Sequence, residues 1–484
     1  MRNTGHGRLI DRRSIDRRGF LNSATLAGAA ALAPQVVHAQ ASPSQPPVRL
    51  AQAGAPAASP SPAITIKSTD RLAGSGISYA YAVKAGPFIF LNGHEAYDFE
   101  QGLAPEVEGP PGFALAGAPP LRREADYILK RMRAILKDFG SDLPQTVRVD
   151  QYYTKGAAVS AYHLARFAEF GSYIAPSTSI IMERCFTART NTHASLLAVV
   201  PAPGWDIQKI TLPGQAISAS GYNPAVVAND FVFVAGNMAQ ENGELPPSVR
   251  IRPTAQWGGQ TGFRRQVAYV IKERLEPSLK AAGSALEHSL KAQAYIRGVE
   301  NFPDFMDVWS QHFRDIPCAL TVVPAKDYAT TEGMVEINLI ALKSGATRRK
   351  QVVAVDLPAL ATLGPCVRAG ELVFPSGLLP VGSDGLVPAA GQAAAFDALA
   401  LAGQAQGALL MSYVDNVCKA VGVTMRNVVR AQYFMTDMRE FAGVAAAWSD
   451  RYGKAPHPFA SVQVPAPLPP SGAVVSADFW IYAG

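Results

Sequence analysis

Charge is scarce in this sequence, and cysteine is scarcer. Charged residues make up 17% of 484 residues, while 48% are hydrophobic. That balance excludes a disordered chain and leaves room for roughly three cores of ordinary size. The four cysteines, Cys185, Cys318, Cys366 and Cys418, form no C-x-x-C pair and have no histidine at metal-ligand spacing. They read as buried, idle thiols, so neither a metal site nor a catalytic Cys185 is expected; a disulfide stays open, with a pairing the sequence does not give. Also missing are a G-x-x-x-x-G-K-[ST] loop, an H-E-x-x-H helix, a G-x-S-x-G elbow and a G-x-G-x-x-G turn after a strand. No nucleotide, metal or other cofactor is therefore expected.

Positive charge is concentrated at one end. The net charge is +6, but residues 1–41 hold six arginines (Arg2, Arg8, Arg12, Arg13, Arg17, Arg18) against Asp11 and Asp16, which leaves about +2 for the rest. A body so near neutral makes nucleic acid an unexpected partner. The run Asp16-Arg17-Arg18-Gly19-Phe20-Leu21 resembles the twin-arginine export motif. An alanine-rich apolar stretch to Ala33 follows, then small residues for cleavage near Ala39 or Ala41. The expectation is a signal over 1–41 and a periplasmic or extracellular protein. No apolar run reaches 18 residues, so no membrane anchor is expected after cleavage. Residues 42–63, rich in Pro, Ala, Ser and Gln, read as a flexible tether.

From there the chain repeats itself. A strand ending in glycine recurs as Phe88-Ile89-Phe90-Leu91-Asn92-Gly93, Phe231-Val232-Phe233-Val234-Ala235-Gly236 and Leu372-Val373-Phe374-Pro375-Ser376-Gly377. Its glycines lie 143 and 141 residues apart. An amphipathic helix follows each time, closed by Gly140, Gly283 or Gly422. Pro277 should kink the second of these helices. Next comes a strand with a cation in one slot (Arg148, Lys291, Arg430), which reads as a charge on the strand surface. A second helix carries His163, Phe167 and Phe170, then Phe302, Phe305, Trp309 and Phe313, then Phe441, Trp448 and Tyr452. Pro176, Pro317 and Pro458 open the last strands. The fold class is α+β, with repeats over 64–203, 211–345 and 351–484.

This order resembles the Rid/YjgF family, most closely in Phe231-Val232-Phe233-Val234-Ala235-Gly236-Asn237 and Leu279-Lys280-Ala281-Ala282-Gly283. The resemblance covers about residues 70–484. It implies a sheet backed by two helices in each repeat, and a pseudo-trimer built by one monomeric chain, with small-molecule pockets between repeats. Deaminase members of the family hold a substrate carboxylate with the arginine of Pro-x-Arg. Here that slot holds Thr178, Ala319 and Ala460. The family's acidic pocket residue maps to Ser195, Asn338 and Asp478, so only the third repeat keeps an acid.

Candidate catalytic residues are His94, just past the strand-ending turn and beside Glu95, and His163 on the second helix. A histidine with an acid can do general acid–base work. Candidate ligand-binding residues are Asn92, Gly93, Thr178, Asn237 and Asp478. The functional expectation is an exported divergent member that binds or hydrolyses a small metabolite. A non-catalytic interaction module and a standard enamine or imine deaminase are the alternatives.

Overall fold

Three sheets share one strand order. In the first, Thr65–Thr69, Tyr79–Ala85, Phe88–His94, Thr192–Val199, Thr146–Tyr153 and Ser177–Ile181 lie side by side in that sequence. The neighbours pair antiparallel except the last two, which run parallel. The second sheet (Ile207–Ile210, Ala225–Ala228, Phe231–Asn237, Val335–Leu342, Ser289–Arg297, Ala319–Ala325) repeats the order. So does the third (Lys350–Val353, Cys366–Ala369, Leu372–Phe374, Val475–Tyr482, Val428–Met435, Phe459–Gln463). The structure is a computed structural model describing residues 64–70, 72–99, 102–113, 115–212, 220–250, 260–328, 330, 332–388 and 401–484. The expected export signal and tether lie outside the described residues. Among the described residues, no helix is long and apolar enough to cross a membrane.

Two helices back each sheet. In the first repeat they are Pro120–Asp138 and Gly156–Phe170. The stripe Ile128, Leu129, Met132, Ile135 and Leu136 is buried, as the spacing predicted. Gly140, Gly283 and Gly422 follow the first helices with φ of 78°, 68° and 76°, a conformation that favours glycine. In the second repeat Gly262–Tyr269 widens into a π-helical stretch, Val270–Leu275, before continuing as Glu276–Ala281. The wider turns sit just before Pro277, whose ring would clash with a regular preceding turn. On the second helix of the first repeat, Phe167 is 41% exposed. The slot five residues before the end cap holds Trp309 and Trp448 in the other repeats, and Arg166 in this one. Arg166 is buried and donates to Ser177 Oγ (2.9 Å) and Ser220 O (2.6 Å), pinning the connection to the second repeat.

The three inner faces meet. Tyr152, Ile180 and Met182 of the first repeat share one cluster with Tyr295 and Val323 of the second and Phe434 and Val462 of the third. A second layer is aromatic: Trp480 packs edge-on against Phe90 (6.3 Å) and Phe374 (5.1 Å), and Phe88 against Phe231 (5.6 Å). Each such buried side chain contributes about 1.5–3 kcal/mol. Between these layers lies a polar one. Arg148 and Arg430 both bind Asp150, through Nε (3.0 Å) and Nη2 (2.7 Å), and Arg148 also donates to Gln293. Gln293 donates in turn to Gln432 (3.1 Å) and Asp478. The two guanidiniums stand 5.4 and 4.9 Å from the Trp480 ring, whose π face offsets part of their charge.

This corrects the reading of Arg148, Lys291 and Arg430 as surface charges. All three are buried, because the face they occupy looks onto the other two sheets rather than water. Main-chain bonds also close the ring. Arg184–Cys185 of the first repeat pairs with Phe459–Gln463 of the third, Ile181 N donates to Asp327 O (3.0 Å), and Gly377 N donates to Leu320 O (2.8 Å). Since one chain already covers its own inner faces, light scattering is expected to give the mass of one chain. A particle of three chains would contradict that.

Candidate functional site

Each strand-ending glycine faces the post-proline strand of another repeat, which makes three slots. A Cβ on Gly93 would lie 3.1 Å from Ala460 Cα and 3.2 Å from Phe459 O; one on Gly236, 2.9 Å from Thr178 Oγ1; one on Gly377, 3.2 Å from Thr321 Oγ1. The slots therefore pair repeat 1 with 3, 2 with 1, and 3 with 2. The arginine-less positions Ala460, Thr178 and Ala319 sit on these post-proline strands.

The slot between repeats 2 and 3 is filled. Lys291 Nζ lies 2.8 Å from Asp478 Oδ1 and donates to Thr321 Oγ1 (2.8 Å) and Pro375 O (2.9 Å), with lysine and acid both fully buried. Burial lowers the lysine's pKa, and Asp478 works against that shift. Asp478, expected to bind ligand, is thus already committed to Lys291 and Gln293.

The slot between repeats 1 and 2 is tied by Asn338 Nδ2 donating to Thr178 Oγ1 (2.9 Å). Glu336, two residues earlier on the same face, accepts from Ser179 N (3.2 Å). Asn237 is buried here and turns its amide back to Ala235 O (2.8 Å).

The slot between repeats 1 and 3 has a different character. Glu95 follows the strand Phe88–His94, and His193 lies near the start of Thr192–Val199. The His193 Nδ1 to Glu95 Oε1 distance is 2.7 Å, and both side chains are buried. Glu95 also accepts from Phe186 N (2.7 Å), Thr187 N (2.7 Å) and Thr190 Oγ1 (2.9 Å). In the neutral ring Nδ1 carries the proton donated to this carboxylate, and Nε2 holds the lone pair. No hydrogen-bond partner reaches Nε2. Asn92 donates through Nδ2 to Val429 O (3.1 Å) across the interface and leaves Oδ1 equally unpaired. Gly93 lets the two repeats approach closely: its φ is 59°, and a Cβ there would stand 3.2 Å from His193 Cε1. Its N–H donates to Ser195 Oγ (3.1 Å). Tyr79 and Phe459 (4.5 Å) form an aromatic wall.

His94 and His163 are not brought together. His94 Nε2 donates to Tyr81 O (3.0 Å), and burial, then the Arg131 charge, push its pKa down to about 3. His163 sits on the helix side of its sheet, where burial and then Arg166 push it down to about 3 as well. Glu95, expected as the acid beside His94, partners His193 instead. His193 went unnoticed in the sequence, although it stands two residues before Ser195 and alternation puts both on one face. All four cysteines are free and buried, and burial raises the Cys185 thiol well above its ordinary value. Among the described residues, no cluster of three or more metal-ligating side chains could hold a metal ion.

The family model described as "Endoribonuclease L-PSP" matches residues 213–343 and 355–475, together just over half of the chain. The RutC family protein of Aquifex aeolicus is 25% identical over 142 residues, which is 28% of this chain and all of that protein. A solved YjgF-family protein from Neisseria meningitidis is 26% identical and aligns over 30% of this chain and 99% of its own, with a TM-score of 0.22. A solved chorismatase aligns over 70% of this chain and 93% of its own at 11% identity, with a TM-score of 0.43. Relatives the length of one repeat and a model matched twice agree with the threefold strand order, and the chain belongs to the Rid/YjgF (L-PSP) family.

Proposed function

We propose that this chain hydrolyses a small, uncharged imine or a close analogue at the slot between repeats 1 and 3, with His193 as general base. The observation that carries this reading is the Glu95–His193 pair with a buried, unpartnered Nε2. Nε2 is an acceptor without a donor, which suits an O–H group of a water. As the water oxygen bonds to the C=N carbon, His193 takes its proton and Glu95 stabilises the imidazolium. That proton passes to the imine nitrogen and gives a carbinolamine; His193 then moves the hydroxyl proton to the same nitrogen as the C–N bond breaks, and a carbonyl compound and an amine remain. General-base help of this kind contributes about 10²–10⁴-fold.

The substrate class follows from the post-proline slot. Ala460 can neither pair with nor hydrogen-bond a carboxylate through its side chain, and Tyr79 and Phe459 offer an apolar wall. The shut slot at Lys291–Asp478 favours a structural role for that interface, so we do not read all three slots as active. Nucleic-acid cleavage is not favoured, given about +2 net charge beyond residue 41. We take the protein to act outside the cytoplasm, on the strength of Arg17-Arg18 and the apolar stretch behind them. Turnover of a carboxylate-free imine by wild type and by His193→Gln tests the reading. The variant should lose the activity, and equal rates would refute it.

A further inference from the structure

We propose that the helix side of the first sheet carries a binding site for a small tetrahedral oxyanion of the inorganic phosphate type, with Arg166 at its centre. Arg166 is 1% exposed, and a guanidinium keeps its proton at any ordinary pH. Burying a charge is costly unless an opposite charge meets it. The other buried guanidiniums among the described residues, Arg148 and Arg430, share Asp150. Arg166 has only neutral acceptors, Ser177 Oγ and Ser220 O, and no carboxylate pairs with it among the described residues. Glu169, three residues on, is spent on Arg133 (3.3 Å). Residues 213–219, which run into Ser220, contain no acidic residue that could supply the missing charge. The groups that act on the guanidinium are the hydroxyls of Tyr153, Tyr162 and Tyr222.

Three buried polar atoms of this helix lack a hydrogen-bond partner: Arg166 Nε, His163 Nε2 and Tyr162 Oη. His163 and Tyr162 lie three and four residues before Arg166, so the three share one face. The Nε edge of a guanidinium fits two oxygens of one anion. The Tyr162 hydroxyl can donate to a third oxygen. His163 Nε2 can meet an oxygen or a hydroxyl of the anion, according to which ring nitrogen holds the proton. The slot has also lost its rings. In repeat 3 the same place holds Trp448 stacked on His457 (3.8 Å), the residue before Pro458. Here Arg166 and Ala175, the residue before Pro176, stand instead. His163 is partly exposed, which gives an anion a way in from the helix surface. Thr178 lines a slot between repeats, and Ser177, its neighbour on the strand, points to the other face. The site is therefore separate from all three slots and from the chemistry at His193.

The test is isothermal titration calorimetry of inorganic phosphate, and of acetate, on the whole protein. Wild type should take up one phosphate per chain. Acetate has no third oxygen for Tyr162 and should bind more weakly by about tenfold or more, the loss of one hydrogen bond to a charged group. Arg166→Trp installs the residue that repeats 2 and 3 carry in this slot, so the variant should fold, which circular dichroism checks, and should bind no phosphate. Tyr162→Phe keeps the ring and its packing, and should lose about tenfold or more in phosphate affinity. That second variant decides the matter if Arg166→Trp does not fold. No saturable binding of phosphate, equal binding of acetate, or an affinity unchanged in either folded variant would each overturn the proposal.

Discussion

Asp150→Ala is expected to destabilise the protein by about 3–5 kcal/mol, the range for removing one partner from a buried ion pair. Asp150 is the only carboxylate bound to both Arg148 and Arg430 among the described residues, and all three side chains are at most 6% exposed. The variant leaves two guanidiniums sealed between three sheets, with Trp480 and two glutamines as their remaining company. Asp150→Asn, which keeps an acceptor, should lose less. Changing Arg148 and Arg430 to methionine along with Asp150→Ala should recover most of the loss, because replacing a whole buried ionic group by apolar side chains is often neutral. Urea unfolding measures each variant. A loss below about 1 kcal/mol for Asp150→Ala would mean that the layer is open to water.

The same residue sets an acid limit. Burial alone would raise its pKa, but Arg148 and Arg430 together hold it below the ordinary value. The unfolded chain therefore binds this proton more readily than the folded one. The stability Asp150 confers is present above the unfolded value of about 3.9 and is lost as pH falls towards the folded value.

His193→Gln is expected to lower imine hydrolysis by about 10²–10⁴-fold while the fold persists. Glutamine keeps a polar group of similar size, and it can meet Glu95 through its amide N–H. It cannot accept a proton from water at neutral pH. Glu95→Gln should cost less and act through the imidazole. It removes the carboxylate that fixes the tautomer, so the rate should fall and its pH profile should shift. His94→Ala should leave the chemistry largely intact, since His94 is spent on the Tyr81 carbonyl. Rates of these three variants under one assay separate the general base from its neighbours. Full activity in His193→Gln, or its loss in His94→Ala alone, would mean that the wrong histidine has been chosen.

Local physics made much of this fold legible. Glycines after each amphipathic helix, alternation in the strands and spacings of 143 and 141 residues mark the repeats in the sequence itself. The sites were harder to read. A cation in a strand belongs by default on a wet face, and only the meeting of three sheets makes that face dry for Arg148, Lys291 and Arg430. Glu95 and His193 lie 98 residues apart, so no local pattern joins them. His94, directly beside Glu95, looked the better partner, yet adjacent strand residues point to opposite faces. Arg166 could have been noticed, because it interrupts an aromatic slot that Trp309 and Trp448 keep.

The central claim is that lost arginines turned this chain from carboxylate-bearing imines to carboxylate-free ones. Two imines with the same side chain test it most directly, one released in place by an amino-acid oxidase and the other by an amine oxidase. The measurement is the ratio of kcat/KM for their hydrolysis. A missing charged hydrogen bond of about 1.5–3 kcal/mol corresponds to about ten- to a hundredfold. The account predicts a ratio at least that far towards the carboxylate-free imine. A ratio near one, or one favouring the amino-acid imine, would contradict it.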